Sequence, residues 1–164
     1  PFLKDIVYYT NKNSVNLFAE ALGELISPTD YARTVKVELS HIGIDSCGIT
    51  LKDASGLSPA NAVPAEVFTD LLIWAKGHLS DAFVSSLPRG NVDWGLRVYS
   101  DHPVLRENVI AKTGSMSGVR ALAGYLKNQK GETLAFTILV NNYVGDPVKV
   151  QEIIRDLLKD IADK

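Results

Sequence analysis

VIAKTGSMSGVRALAGYLKNQKGETLAFTILVN, residues 109–141, is the stretch that decides the architecture. It contains three β-type runs, Val109 to Thr113, Val119 to Leu126 and Thr133 to Asn141, separated by turns bearing Gly and Asn. The segment Lys127-Asn128-Gln129-Lys130-Gly131 is the most turn-like in the chain. So short a connection cannot carry a parallel crossover, so these strands are read as an antiparallel meander. After Pro147 a helical period follows, with Val150, Ile153, Ile154, Leu157, Leu158 and Ile161 on one face. Such a face must be buried, and the sheet is the obvious surface. The fold class is therefore α+β, an antiparallel sheet flanked by helices.

Upstream, the pattern is helical and then irregular. Leu3, Ile6 and Val7 share one face of a short helix, which the polar run Thr10-Asn11-Lys12-Asn13-Ser14 is expected to interrupt. A second helix carries Leu17, Ala21, Leu22, Leu25 and Ile26 on a stripe and stops before Pro28. Asp30 to Leu39 reads as a third helix. Gly43 to Pro59 reads as irregular, with one short strand at Gly48 to Leu51 and a turn at Asp53-Ala54-Ser55-Gly56-Leu57-Ser58. Pro64 opens another helix, with Val67, Leu71, Leu72 and Ala75 spaced for burial and an end near Gly77. A loop-rich crossing then leads to about Asn108. With no repeat or interdomain linker, residues 1–164 are treated as one unit.

Composition removes several function classes. The net charge is -2, with Lys and Arg scattered among acids, so there is no electrostatic footprint for nucleic acid. No apolar run approaches the roughly 20 residues needed to cross a bilayer. Cys47 is the single cysteine, so an intrachain disulfide or a cysteine zinc site is excluded, and it is expected to be a small buried hydrophobe. His41, His78 and His102 form no metal motif and are expected at the surface or as satisfied polar groups, so neither metal nor cofactor is expected.

Two short motifs can carry chemistry. Lys112-Thr113-Gly114 ends a predicted strand, where a cation, a hydroxyl and a residue without Cβ could together bind a carboxylate. A solvated lysine before a turn is the ordinary alternative. Ser14-Val15-Asn16 lies at a loop-to-helix junction. Both Ser14 and Asn16 suit a helix N-cap, but a hydroxyl and an amide at this spacing can also point into one cleft, to relay a proton and to position a carbonyl or a lysine. Gly114-Ser115-Met116-Ser117-Gly118 puts Met where a nucleophile elbow needs Ser, which argues against a Ser-His-Asp hydrolase.

Ser14-Val15-Asn16, Asp53 to Ser58 and Ala111-Lys112-Thr113-Gly114-Ser115 occur in the order found in the low-molecular-mass class C penicillin-binding proteins, and over essentially its whole length the chain resembles this D-alanyl-D-alanine carboxypeptidase/endopeptidase family. The resemblance implies the penicillin-binding transpeptidase/β-lactamase-like fold, incomplete in this chain. It implies acyl transfer on a serine of an S-x-x-K helix, and none of the serines here has Lys three residues on. The S-x-x-K part, with two further strands, is expected to precede Pro1. A sheet lacking them would leave an edge open to that part or to a second copy, as a homodimer.

Carried over by resemblance, Ser14 joins the proton relay to the leaving D-alanine nitrogen and Asn16 holds the substrate amide. Lys112 supports the relay, while the Thr113 and Ser115 hydroxyls, with Gly114 between them, bind the terminal carboxylate. The Ser115 N–H is one oxyanion donor, and the other belongs to the nucleophile. The expected ligands are peptidoglycan peptides ending in D-Ala-D-Ala and β-lactam antibiotics, and the expected location is the periplasm or cell envelope. Ala54 stands where the family often has Gly, and Pro59 where it has an Arg associated with the stem peptide, which bears on stem recognition. The other readings are a non-catalytic peptidoglycan-binding scaffold, which the missing nucleophile suggests, and a serine β-lactamase.

Overall fold

The computed structural model describes residues 1–164. Its helices are α1 (Leu3–Asn13), α2 (Asn16–Ile26), α3 (Tyr31–His41), α4 (Ala65–His78), α5 (Asp81–Ser86), α6 (Pro103–Asn108) and α7 (Pro147–Ala162), with a 3-10 helix at Trp94–Tyr99. Its strands are β1 (Val109–Met116), β2 (Val119–Lys127) and β3 (Thr133–Asn141), antiparallel in the order β1-β2-β3. The meander and the closing helix are as the periodicity predicts.

Each sheet face has its own core. On one, Ile154 and Leu158 of α7 meet Val109, Ala111, Leu122 and Leu126, all nearly free of solvent. On the other, Tyr125 and Leu87 bury against Leu72 of α4, where the Tyr125 hydroxyl donates to the Leu72 carbonyl at 2.6 Å. A third cluster, Leu39, Ile44, Ile49 and Val67, joins α3 to α4. Gly124 lies opposite Ala111, and a Cβ there would sit 2.5 Å from the Ala111 Cα, so only glycine allows β1 and β2 this approach.

Several expectations are corrected. The polar run does not break α1, because its side chains bond elsewhere: Asn11 Nδ2 donates to Ser86 Oγ at 2.8 Å and Lys12 Nζ to the Leu87 carbonyl at 2.7 Å. The crossing from 79 to 108 is built of α5, the 3-10 helix and α6, each too short to show a period. The strand expected at Gly48 to Leu51 is a single bridge, Thr50 to Ala62. β1 does not stop at Thr113 but continues to Met116. Cys47 is exposed, in a turn closed by the Asp45 carboxylate on its own N–H. His41 and His78 are exposed, whereas the His102 Nδ1 is buried without a partner. Leu17 and Leu25 of α2 and Ile153 of α7 stay about three-quarters exposed, so only part of each predicted stripe is covered within the chain.

One ion pair sets where α1 lies. Lys12 Nζ also meets Asp93 Oδ2 at 2.8 Å, with the two side chains only 9% and 19% exposed. The same Asp93 oxygen accepts the Arg89 N–H at 2.7 Å, and Asp93 stands just before the 3-10 helix, where its backbone carbonyl accepts the Leu96 N–H at 3.1 Å. Removing one member of a shielded pair strands the other charge. Lys12→Met is therefore expected to cost about 3 kcal/mol in urea unfolding, and a loss within experimental error would show that α1 docks by other contacts.

Candidate functional site

The last turn of α1, anchored through Lys12, delivers Ser14 to the sheet. Ser14 is not an N-cap. It adopts φ 53°, ψ 49°, the left-handed conformation that ends α1, and Val15 stands at the cap position of α2. A non-glycine residue held there stores about 1–3 kcal/mol of strain. Freed from capping, the Ser14 Oγ accepts from Lys112 Nζ at 2.9 Å, across 98 residues of sequence. Asn16, the first residue of α2, is exposed.

Lys112 projects from β1 on the α1 side and donates as well to the Thr113 carbonyl. No carboxylate pairs with it, and burial pulls its ammonium below the usual lysine range. An ammonium can only donate. The Ser14 oxygen is therefore the acceptor of that bond, and its own proton is left to point elsewhere.

The backbone of β1 explains why an open edge lies beside these groups. Gly90 N–H donates to the Val109 carbonyl at 3.1 Å, and Ala111 N–H to the Pro88 carbonyl at 2.9 Å, so the segment 88–90 covers the first half of the outer edge. These bonds place the outward-pointing groups at odd residues. By strand alternation the N–H and C=O of Thr113 and Ser115 also point outward, beyond the cover. The second half of β1 is thus a free edge.

The Thr113, Gly114 and Ser115 segment borders a cavity of about 470 Å³, with Trp94, Arg97 and Gln151 on its other walls. A Cβ on Gly95 would lie 3.3 Å from Thr113 Oγ1, so the glycine lets the 3-10 helix approach closely. The indole of Trp94 is 87% exposed at this cavity. Sequence reading missed Lys12, Trp94, Gly95 and Arg120, the last of which also lines this cavity. The Trp-Gly pair inside an apparent loop was the one local signal.

The 53–58 turn braces α2. Asp53 accepts from the Gly56 and Ser58 N–H groups at 2.7 and 2.6 Å and from Asn61 Nδ2 at 2.9 Å. Burial pushes the Asp53 carboxyl up, but these bonds outweigh it and hold the group below its usual range. Glu20 of α2 is held below its usual carboxyl range chiefly by the Ser55 hydroxyl, and it also accepts from the Ser55 N–H at 2.9 Å. Ala54 is accommodated because Gly23 faces it, where an added Cβ would come within 2.6 Å of the Ala54 Cβ. Asn16 and Glu20 lie four residues apart on α2, so this brace sets the face that Asn16 presents.

The family model for the D-Ala-D-Ala carboxypeptidase 3 (S13) family matches residues 1–163. A D-alanyl-D-alanine carboxypeptidase of an Actinomadura species is 36% identical over 99% of this chain and 31% of its own length. One from Haemophilus influenzae is 33% identical over 88% of this chain and 33% of its own length. The chain thus spans about a third of these relatives. Among solved structures, penicillin binding protein 4 of Haemophilus influenzae, complexed with a β-lactam, superposes with a TM-score of 0.89 at 28% identity, covering 98% of this chain and 41% of that one. An extended-spectrum β-lactamase superposes at 0.79 with 17% identity, over 98% of this chain and 63% of that one, a likeness of fold alone.

The state of Lys112 is measurable. Between its depressed value and the ordinary 10.5, the unfolded chain still holds a proton that the folded chain has released, so stability rises with pH in that window. Below it, the folded protein carries a desolvated charge. Lys112→Met is expected to be more stable than the parent near neutral pH, with the gap narrowing as pH approaches about 10.5. A gap that does not change with pH would mean that the ammonium is fully solvated.

Proposed function

Because the chain belongs to the D-Ala-D-Ala carboxypeptidase 3 (S13) family, we propose that residues 1–164 are the C-terminal part of the penicillin-binding domain of a serine-type DD-peptidase acting on peptidoglycan stem peptides. The observation that carries this reading is the Lys112 to Ser14 hydrogen bond beside the free edge of β1. A cation, an uncommitted hydroxyl proton and two outward backbone groups meet there. An extended peptide adds to such an edge through main-chain bonds.

In the proposed reaction the serine of an S-x-x-K segment, supplied from outside these residues, gives its proton to the lysine of that segment and attacks the carbonyl carbon of the penultimate D-alanine. The developing oxyanion is held by the Ser115 N–H and by the N–H of the nucleophile. The C–N bond breaks as Ser14 passes its proton to the departing D-alanine nitrogen and takes in its place the one lost by the attacking serine, with Lys112 holding Ser14 in position. Water then hydrolyses the ester and releases the shortened peptide as its carboxylate. Asn16 orients the substrate amide, and the Thr113 and Ser115 hydroxyls, with Gly114 between them, take the terminal carboxylate. A β-lactam occupies the same position. The substrate puts the protein in the periplasm or cell envelope, and no helix of the chain is long and apolar enough to cross a membrane.

The exposed apolar residues of α2 and α7, and the unpaired edge of β3, are surfaces that the S-x-x-K part would cover. Without that part, a second copy pairs there instead.

The test joins the chain to the S-x-x-K part and follows acylation by a fluorescent penicillin. The joined protein is expected to label stably, with Ser14→Ala and Lys112→Ala each slowing acylation about a hundredfold or more. No labelling of the intact pair would overturn the reading in favour of a binding scaffold, and rapid release of hydrolysed penicillin would favour a β-lactamase.

A further inference from the structure

The hairpin that follows Ser115 has a built-in mismatch. Met116 pairs with Val119, leaving Ser117 and Gly118 as a two-residue loop. Gly118 has φ 68°, while Ser117 does not lie at positive φ. Negative then positive φ is the order of an unprimed turn, whereas the primed turns that match strand twist begin with a positive φ. An unprimed two-residue loop tends to splay its strands, and these strands carry Ser115 on the free edge.

Arg120 lies directly opposite Ser115. Its Nη1 donates to the Met116 carbonyl at 3.2 Å and to the Val119 carbonyl at 2.9 Å, thereby bridging the two ends of the loop. The guanidinium lies 5.6 Å from the centre of the Tyr143 ring, and the Tyr143 N–H donates to the Gly118 carbonyl at 3.2 Å. The turn is thus held at both ends by one planar cation and at its tip by the backbone beyond β3. Lysine, a single ammonium on a flexible stem, cannot bridge and stack at once.

We propose that Arg120, seated on Tyr143, is a positioning residue: it holds a twist-mismatched hairpin closed so that the Ser115 N–H and hydroxyl stay at the free edge of β1. The proposal rests on the DD-peptidase reading for its consequence in catalysis, but not for its geometry. Arg120 also lines the cavity beside Thr113 and Ser115, but both of its hydrogen bonds are spent on the carbonyls of the loop. It acts through Ser115.

The experiment uses the chain joined to its S-x-x-K part and measures acylation per titrated active site, with the Ser115 amide followed by selective ¹⁵N labelling. Arg120→Ala and Arg120→Lys are both expected to lower the acylation rate constant about tenfold or more, with little change in the initial binding constant, and to shift the Ser115 amide resonance. Adding Ser117→Asn to Arg120→Ala creates an Asn-Gly loop, which favours a primed turn. It is expected to restore most of the rate and return the amide resonance. Loss of rate without rescue would overturn the proposal, since the arginine would then act by its charge or on the fold at large, and so would an unchanged rate in Arg120→Ala. If the parent itself does not acylate, the DD-peptidase reading fails, and the Ser115 resonance alone decides: its return on adding Ser117→Asn sustains the proposal and its failure to return overturns it.

Discussion

The buried ammonium of Lys12, shared between the Leu87 carbonyl and the Asp93 carboxylate, is the contact on which the candidate site depends. The hydrogen bond from Lys112 to Ser14 is too exposed to dock a helix by itself, since such a bond contributes on the order of 1 kcal/mol net. A shielded charge pair with further hydrogen bonds is another matter, because sliding α1 away would leave both charges unpaired out of water. Asp93 also ties down the Arg89 N–H and starts the 3-10 helix. One carboxylate therefore locates Ser14, the strand cover at 88–90 and the cavity wall at Trp94 relative to one another.

The same segment divides β1 into two kinds of edge. Where 88–90 runs beside it, the outward groups of Val109 and Ala111 are satisfied. Two residues further on the cover turns away into the 3-10 helix, so the outward groups of Thr113 and Ser115 have no strand partner, and only the Thr113 carbonyl is engaged, by the Lys112 ammonium. An unpaired edge is a hazard for any sheet. Here it is only two outward residues long and lies next to a cavity, a geometry suited to holding one short extended ligand and poorly suited to pairing with another sheet.

Much of this was legible in the sequence, for reasons that differ by element. The strands of β1 to β3 and helix α7 showed themselves because their apolar period persists over eight or more residues. The crossing did not, since α5, the 3-10 helix and α6 have six residues each, no more than two turns. Ser14, Asn16, Lys112, Thr113 and Ser115 were singled out through motif order, and of these the structure brings Ser14 and Lys112 into contact. Lys12 was read as part of a helix-breaking polar run because its partner lies 81 residues away. Arg120 was invisible for a related reason: nothing in its local pattern reveals that the turn beside it has the wrong twist.

A half-buried ammonium with no counter-charge is a standing cost in the free protein, and Lys112 is in that position. Had a carboxylate of the chain been placed beside it, the fold would be more comfortable and the cleft nearly neutral. At an effective dielectric of about 20, an anion 4 Å from such a charge gains about 4 kcal/mol of Coulomb energy, against about 1 kcal/mol in water. On the proposed reading the terminal carboxylate of the substrate, held by Thr113 and Ser115 on the other face of β1, is the nearest anion and gains a part of this. The ammonium already donates to Ser14 and leaves the serine proton free, and the carboxylate would offset part of the cost of keeping that charge out of water. An unpaired charge in the cleft thus favours a ligand that ends in a free carboxylate, which a lysine satisfied within the fold would do far less.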